Sequence, residues 1–107
     1  MNETRKALNL IGLAQRAGKA VSGGFSVEKA VKEGRAVLLI IAEDASDNTK
    51  KRFHNMGTFY QVPVIELSCK DGLGSCIGRA ERSSLALTDA GLAEAVLMAL
   101  DAYNTRR

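Results

Sequence analysis

Residues 22–34 read SGGFSVEKAVKEG, residues 35–36 are Arg-Ala, residues 37–42 read VLLIIA, and Glu43-Asp44 follow. The glycine pair predicts the start of a helix over residues 24–33, and Gly34 predicts its end. The apolar run shows no alternation, which is typical of a strand covered on both faces. The first amides of a helix lack intrahelical acceptors, so they can receive an anion. This stretch therefore predicts an anion-binding helix start beside a buried strand.

The residues at this helix start are candidate phosphate ligands. Gly23 and Gly24 allow a phosphate to approach the main chain closely, and residues up to Ser26 contribute amides. Lys29 follows in the same helix, within reach of the same anion. On the residues alone a structural interpretation stays open, in which the glycines only form a turn and Lys29 is a solvated lysine.

Helical and extended patterns alternate along the whole chain. Apolar spacing predicts a first helix ending at Gly18, and Ser46 and Asp89 are candidate N-caps of later helices. This alternation predicts one domain over residues 1–107, an α/β fold built as a three-layer α/β/α sandwich with a small mixed sheet of about four strands. The expected helices cover 3–17, 24–33, about 46–60, 70–77 and 89 onward; the expected strands lie around Val21 and over 37–42, 62–67 and 83–88, and Arg106-Arg107 is expected to fray.

Composition limits the classes of function. The chain has 107 residues and a net charge of +3, with a pI near 9.1, which permits an RNA partner without proving one. Aromatic residues make up 5% with no Trp, so an extended stacking surface for single strands is disfavoured. No signal peptide or membrane-spanning run is visible, which predicts a cytoplasmic protein.

The chain offers no pattern for metal or catalysis. Cys69 and Cys76 are the only cysteines and His54 is the only histidine, too few for a zinc site, so we expect two buried free thiols. Glu43-Asp44 is interpreted as a cap for the following helix, because no histidine or second carboxylate stands near it in sequence. We expect no cofactor, no metal and no enzymatic activity.

Several short motifs of this chain occur in the same order and at matching positions in a known protein family. Taken together, the matching pieces resemble the L-seven-Ae ribosomal-protein family of kink-turn RNA-binding proteins, and most closely its small bacterial members of the YlxQ type. The pieces are residues 10–19 (LIGLAQRAGK), Ser22-Gly23, Lys29-Ala30, Gly34, residues 41–46 (IAEDAS), Val62-Pro63-Val64, Leu73-Gly74 and Ile77-Gly78.

The resemblance implies an α/β/α sandwich that seats a kinked RNA on one edge. By position, Gly23 matches the glycine of the family's motif, Lys29 matches its lysine, and residues 79–83 match a second contact loop. With the resemblance, the phosphate-binding interpretation of Gly23, Gly24, Phe25, Ser26 and Lys29 becomes the better one. Arg79 and Arg82 join them as candidates, because arginine offers a planar fork for phosphate and guanine.

The chain departs from the family at three places. Phe25-Ser26 replaces a polar pair that reads guanine edges, Tyr60 replaces a frequent lysine, and the loop at 79–83 is charged instead of apolar. We expect phosphate contacts to persist and leave selectivity for the usual kink open. The bacterial branch often departs at the polar pair as well.

Three hypotheses follow for the function. The first is a non-catalytic RNA-binding protein that recognises a kink-turn or similar structured RNA in a ribosomal or related ribonucleoprotein. The second is a protein-interaction module on the same fold, with Phe25 as a docking aromatic. The third, an enzyme on a small α/β scaffold, is disfavoured by the single histidine. The sequence names neither the RNA nor the oligomeric state.

Overall fold

The computed structural model describes residues 2–105, and its side chains over residues 4–100; the expectation for Arg106-Arg107 lies outside this range. Helices and strands alternate as predicted. The helices are α1 (Asn2–Arg16), α2 (Gly24–Lys32), α3 (Asp47–Tyr60), α4 (Lys70–Cys76) and α5 (Ala90–Thr105), and the strands are β1 (Ala20–Ser22), β2 (Leu38–Ile41), β3 (Val64–Glu66) and β4 (Ser84–Leu87).

The four strands form one mixed sheet in the order β1-β4-β2-β3. Strand β4 runs antiparallel to both β1 and β2, whereas β2 and β3 are parallel. Helices α2 and α3 pack together over one face of this sheet, and α1 packs against α4 and α5 on the other. The predicted three-layer α/β/α sandwich with about four strands is therefore confirmed.

The ends of the helices follow the predicted local chemistry. The Ser46 Oγ accepts a hydrogen bond from the Thr49 amide at 3.1 Å and caps α3. The Asp89 Oδ2 accepts one from the Leu92 amide at 2.9 Å and caps α5. Each cap satisfies an amide that the helix itself leaves without an acceptor.

Strand β4 differs from its expected pattern. Residues 83–88 alternate only weakly, which suggested one buried face, yet all four residues of β4 are buried. The cause is its central position, since β1 and β2 flank it and helices cover both faces. Pro63 lies just before the edge strand β3, a position that suits a residue without a backbone N–H, and its carbonyl accepts the Leu39 amide at 2.9 Å.

The expectation of two buried thiols is wrong. Cys69 is exposed and Cys76 is half-buried, because both lie at the ends of the short helix α4 instead of inside the sheet layers. The Cys69 sulfur accepts the Gly72 amide at 3.3 Å, and the Cys76 thiol donates to the Leu73 carbonyl at 3.1 Å. Burial raises the pKa of the Cys76 thiol, so it stays protonated at neutral pH.

No helix among residues 2–105 is both long and apolar enough to cross a membrane. Within the described part of the chain, no three metal-ligating side chains come together either.

Gly57 lets helix α3 lie directly on the turn that leads into β3. A Cβ at this position would overlap the Val64 side chain and would lie 2.8 Å from the Val62 carbonyl oxygen. The sequence indicated only that Gly57 weakens the helix. The structure gives the compensating gain, which is the close packing of α3 against the edge of the sheet.

We predict that Gly57→Ala lowers the free energy of unfolding by about 1–3 kcal/mol, because the added methyl overpacks this contact. Chemical denaturation followed by circular dichroism measures the change. Gly91→Ala in α5 is the control, since its Cβ would meet only the capping Asp89 Oδ2, at 3.3 Å, which is a milder contact than the overlap at Gly57. Equal stability of the two variants would contradict the packing argument.

Candidate nucleic-acid interface

The sheet register brings two distant segments to one end of the molecule. Ser22, the last residue of β1, pairs with Leu85 near the start of β4. The junction that follows β1 (residues 22–26) and the loop that precedes β4 (residues 78–83) therefore lie side by side. We call these two segments together the two-loop edge.

At the β1–α2 junction, the helix begins without a side-chain cap. Gly23 is the N-cap with φ 90° and ψ 147°, a conformation that favours glycine. Its amide donates to the Ser84 carbonyl at 3.2 Å, and its carbonyl accepts the Val27 amide at 2.9 Å. The amides of Gly24, Phe25 and Ser26 precede that first helical bond, so the helix offers them no acceptor.

The 78–83 loop is held by backbone contacts. The Arg79 amide donates to the Gly74 carbonyl at 2.8 Å, and the Arg82 amide donates to the Lys70 carbonyl at 3.0 Å. Gly74 permits the close approach, since a Cβ there would overlap the Ala80 carbonyl and lie 2.9 Å from the Glu81 Cα. Helix α4 thus acts as the support on which this loop rests.

Arg82 connects the two segments directly. Its Nε donates to the Ser22 Oγ at 3.1 Å, a contact between residues 60 positions apart. Its Nη1 donates to the carbonyls of Ala80 at 3.3 Å and Glu81 at 3.0 Å. The sequence analysis predicted Arg82 as a ligand for phosphate or guanine, and this stays a prediction. The structure shows that the guanidinium connects the loop to the end of β1.

The exposed face of α2 carries the other predicted residues. Val27, Ala30 and Val31 point into the core, so Phe25, Ser26 and Lys29 lie on the solvent side. Phe25 is 81% exposed, which places its ring outside the fold. Phe25 and Lys29 are one helical turn apart and line the same surface cavity of about 350 Å³.

Arg52 was missed by the sequence reasoning. Arg52 ends the basic run Lys50-Lys51-Arg52 on α3, a pattern that is typical of a solvated helix face, yet its guanidinium reaches the start of α2. Its Nη1 lies 3.4 Å from the position that a Cβ on Gly24 would take. It forms an ion pair with Glu28 and sits 4.9 Å from the centre of the Phe53 ring. No local sequence signal marks this contact, because α2 and α3 meet only in the fold.

Glu28 is the acidic counterpart of these cations. Its carboxylate binds the Lys32 ammonium at 2.8 Å as well as Arg52. Hydrogen bonds from Lys32 and Arg52 hold the pKa of Glu28 below its usual value, so the carboxylate stays ionised at neutral pH. Part of the positive charge on α2 and α3 is therefore neutralised within the protein.

Two further predictions have mixed outcomes at this end of the molecule. Arg79 lies on the 78–83 loop with an exposed side chain, but none of the described side chains connects it to α2.

Asp44 does act as a cap, although for another helix than expected. Its Oδ1 accepts the amide of Lys70 at 2.8 Å, at the start of α4 instead of α3. The reason is the parallel pairing of β2 and β3, which brings the ends of both strands together.

A model of the family described as "Ribosomal protein L7Ae/L30e/S12e/Gadd45 family" matches residues 5–97 of this chain. The chain belongs to this family. The matched residues include all four strands and helix α4, which supports the 78–83 loop. The motifs that carry the sequence resemblance all lie within this range.

Named relatives agree with this membership. The chain is similar to "RNA-binding protein YlxQ" of Bacillus subtilis, 40% identical over 92 residues, or 86% of this chain and 92% of the relative. It is similar to the protein of the same name from Enterococcus faecium, 38% identical over 96 residues, or 88% and 92%. Large ribosomal subunit protein eL8 of Thermoplasma volcanium is 32% identical over 91 residues, 82% of this chain and 74% of that protein.

Solved structures share the same architecture. A protein with unknown function from Bacillus halodurans C superimposes with a TM-score of 0.86 at 36% identity, covering 90% of this chain and 97% of that one. The Giardia lamblia 15.5kD RNA binding protein superimposes with a TM-score of 0.77 at 21% identity, covering 98% and 90%. At that identity the second likeness shows the fold alone.

We predict that Arg82→Ala frees the 78–83 loop, because it removes the bonds to Ser22 and to two loop carbonyls. Hydrogen exchange followed by mass spectrometry should show faster exchange of the amides of residues 79–83, with a loss of about 1–2 kcal/mol in global stability. Arg79→Ala is the matched control and should leave this exchange unchanged. Identical exchange in Arg82→Ala and the wild-type protein would contradict the bracing role.

Proposed function

We propose that this chain is a non-catalytic RNA-binding protein that seats a kink-turn or similar structured RNA on its two-loop edge. The observation that carries the proposal is the Arg82–Ser22 contact, which fixes a basic loop beside a helix start whose amides lack acceptors in the helix. Relatives named as RNA-binding or ribosomal proteins support the class of partner. The proposed binding unit is one domain over residues 1–107, of which the family model matches residues 5–97.

The start of α2 would hold the RNA backbone. The amides of Gly24, Phe25 and Ser26 point along the helix axis toward the two-loop edge, where the helix dipole favours an anion. Gly23 keeps the approach free of a side chain, and the Lys29 ammonium adds a mobile positive charge on the same helix. Together these groups suit one or two phosphates of a bent strand.

The 78–83 loop would hold the opposite strand or the bulged bases. Arg79 presents an exposed guanidinium for this purpose. Arg82 contributes its charge from a fixed position, since its Nε and Nη1 are already bound within the protein. A guanidinium that is held in place loses little side-chain entropy when an anion binds.

Phosphate contacts supply most of the affinity in such a complex, so binding falls steeply as salt rises. Selectivity must come from elsewhere, because phosphates carry no direct sequence information. Ser26 is the one hydroxyl at the helix start, and its replacement is expected to change selectivity more than affinity. The RNA of this proposal belongs to a ribosomal or related ribonucleoprotein in the cytoplasm.

A protein-interaction module remains the second candidate, and the exposure of Phe25 is the observation that favours it. Affinity purification under RNase-free conditions separates the two. Recovery of bound RNA supports the first proposal, whereas recovery of a protein partner without RNA supports the second.

We predict that Lys29→Ala weakens binding to a kink-turn RNA about tenfold at moderate salt and does so for different RNA sequences alike. The slope of log K against log salt should become shallower by about 0.7–0.9, the value for one lost phosphate contact. Gel-shift titration over a salt series measures both quantities.

The control is Lys6→Ala on α1, in the opposite helix layer, which makes the same change in net charge. Its affinity and slope should stay close to those of the wild type. Equal affinities of the wild type and Lys29→Ala would remove Lys29 from the interface.

We also predict that Glu28→Gln strengthens RNA binding several-fold, because it releases Lys32 and Arg52 from their ion pairs beside the helix start. The salt slope should become steeper by up to about 0.9 for each cation that reaches a phosphate. Glu94→Gln on α5 makes the same charge change in the opposite layer and should have little effect. A weaker or unchanged affinity of Glu28→Gln would show that Lys32 and Arg52 lie outside the RNA footprint.

A further inference from the structure

Phe25 is the most exposed large apolar side chain of the described residues. Its relative exposure is 81%, although it sits in the first turn of a helix whose inner face is fully buried. Exposed rings are not stabilised by the core, so an interior packing role does not account for this residue. Phe25 is also the middle one of Gly24, Phe25 and Ser26, the three residues whose amides lack acceptors within the helix.

The surroundings of the ring are both apolar and charged. Phe25 lines a surface cavity of about 350 Å³ together with Glu28, Lys29, Lys32 and Glu33. The aliphatic stems of the two lysines extend the apolar floor. Lys29 is exposed, whereas the Lys32 ammonium is paired with the Glu28 carboxylate at 2.8 Å. A flat ligand that carries negative charge at its edge fits this combination.

Phe59 shows by contrast what an exposed aromatic elsewhere on this fold looks like. It is 78% exposed at the end of α3, where its ring meets the Tyr60 ring edge-on with centroids 4.8 Å apart. Among the described aromatic side chains, none pairs with the Phe25 ring, which is 81% exposed. Phe25 is the one aromatic residue within the two-loop edge.

We propose that the Phe25 ring stacks on one unpaired base of the bound RNA, which is the base of a nucleotide whose phosphate lies at the start of α2. This inference rests on the proposed function, and it adds the class of contact that Phe25 makes. Geometry supports it, because a phosphate held by the amides of residues 24–26 brings its own base within reach of a side chain carried by residue 25. Lys29, one turn further along α2, borders the same space.

This contact requires an unstacked base but does not depend on which of the four bases it is. A phenyl ring has no hydrogen-bonding group, so it cannot read the edge of a base, but every base has a face on which it stacks. The chain is poor in aromatics, and a single ring provides for a single base. The contact therefore requires one unstacked nucleotide at a defined place and not a run of single strand.

The experiment uses the full chain and a kink-turn RNA in which 2-aminopurine replaces each bulged base in turn. Stacking on Phe25 should change the fluorescence of one of these probes on binding. Phe25→Leu keeps an apolar side chain of similar reach but removes the ring; it should lose that fluorescence change and about tenfold in affinity. Phe25→Trp should retain both.

The salt dependence distinguishes stacking from charge. Phe25→Leu should keep the wild-type slope of log K against log salt, whereas Lys29→Ala should make it shallower. Phe59→Leu is the matched control for removal of an exposed ring and should behave as the wild type. Circular dichroism checks that each variant remains folded.

The outcomes separate this inference from the function on which it rests. If Phe25→Leu binds as the wild type does while Lys29→Ala is weakened, base stacking is overturned and RNA binding stands, which leaves Phe25 available to a protein partner. If the wild type binds no structured RNA, both proposals fail. A fluorescence change that persists in Phe25→Leu would also overturn the assignment of the ring.

Discussion

The antiparallel pairing of β4 with both β1 and β2 is the constraint on which the candidate interface depends. A central antiparallel strand begins where its two neighbours end, so the loop before β4 must meet the segments after β1 and β2. Backbone hydrogen bonds fix this meeting: the Ser84 carbonyl accepts the Gly23 amide, and the Ser83 carbonyl accepts the Ala42 amide. A different strand order would separate residues 22–26 from residues 78–83, and no surface charge could restore their proximity.

The positive charges near this edge differ in how freely they move. Arg82 and Arg52 are held by internal partners, so their charges occupy fixed positions in the free protein. Lys29 and Arg79 lie on exposed positions and can adjust to a ligand. Fixed charges reduce the ordering cost of binding, and mobile ones tolerate variation in the ligand. Glu28 lowers the local positive potential, because its carboxylate is paired with Lys32 and Arg52.

Periodicity and caps predicted the elements well because these are local features. The VLLIIA run, Ser46 and Asp89 each specify their structure within a few residues, and β2, α3 and α5 lie where expected. The roles of Arg52 and Arg82 could not be predicted, since their partners lie 24 and 60 residues away and meet only through helix packing and strand order. The prediction for Asp44 was wrong for the same reason. Helix α3 follows Asp44 in sequence, but the side chain caps α4, which lies beside it in the fold. The exposure of Phe25 could be established only from the structure, because the residues around it in sequence are compatible with either the buried or the exposed side of a helix.

If Phe25 stacks on a base as proposed, the start of α2 selects RNA by a different means than a polar pair would. Polar side chains there would read base edges by hydrogen bonds, whereas a phenyl ring reads only the presence of an unstacked base. Selection among RNAs then depends on distance. The Arg82–Ser22 contact fixes the 78–83 loop beside the start of α2. In the proposed complex, an RNA would have to bend enough to reach both segments while it presents one free base. Because duplexes resist such bending, the energy of deformation discriminates between RNAs that kink readily and those that do not, even at nucleotides that the protein never touches.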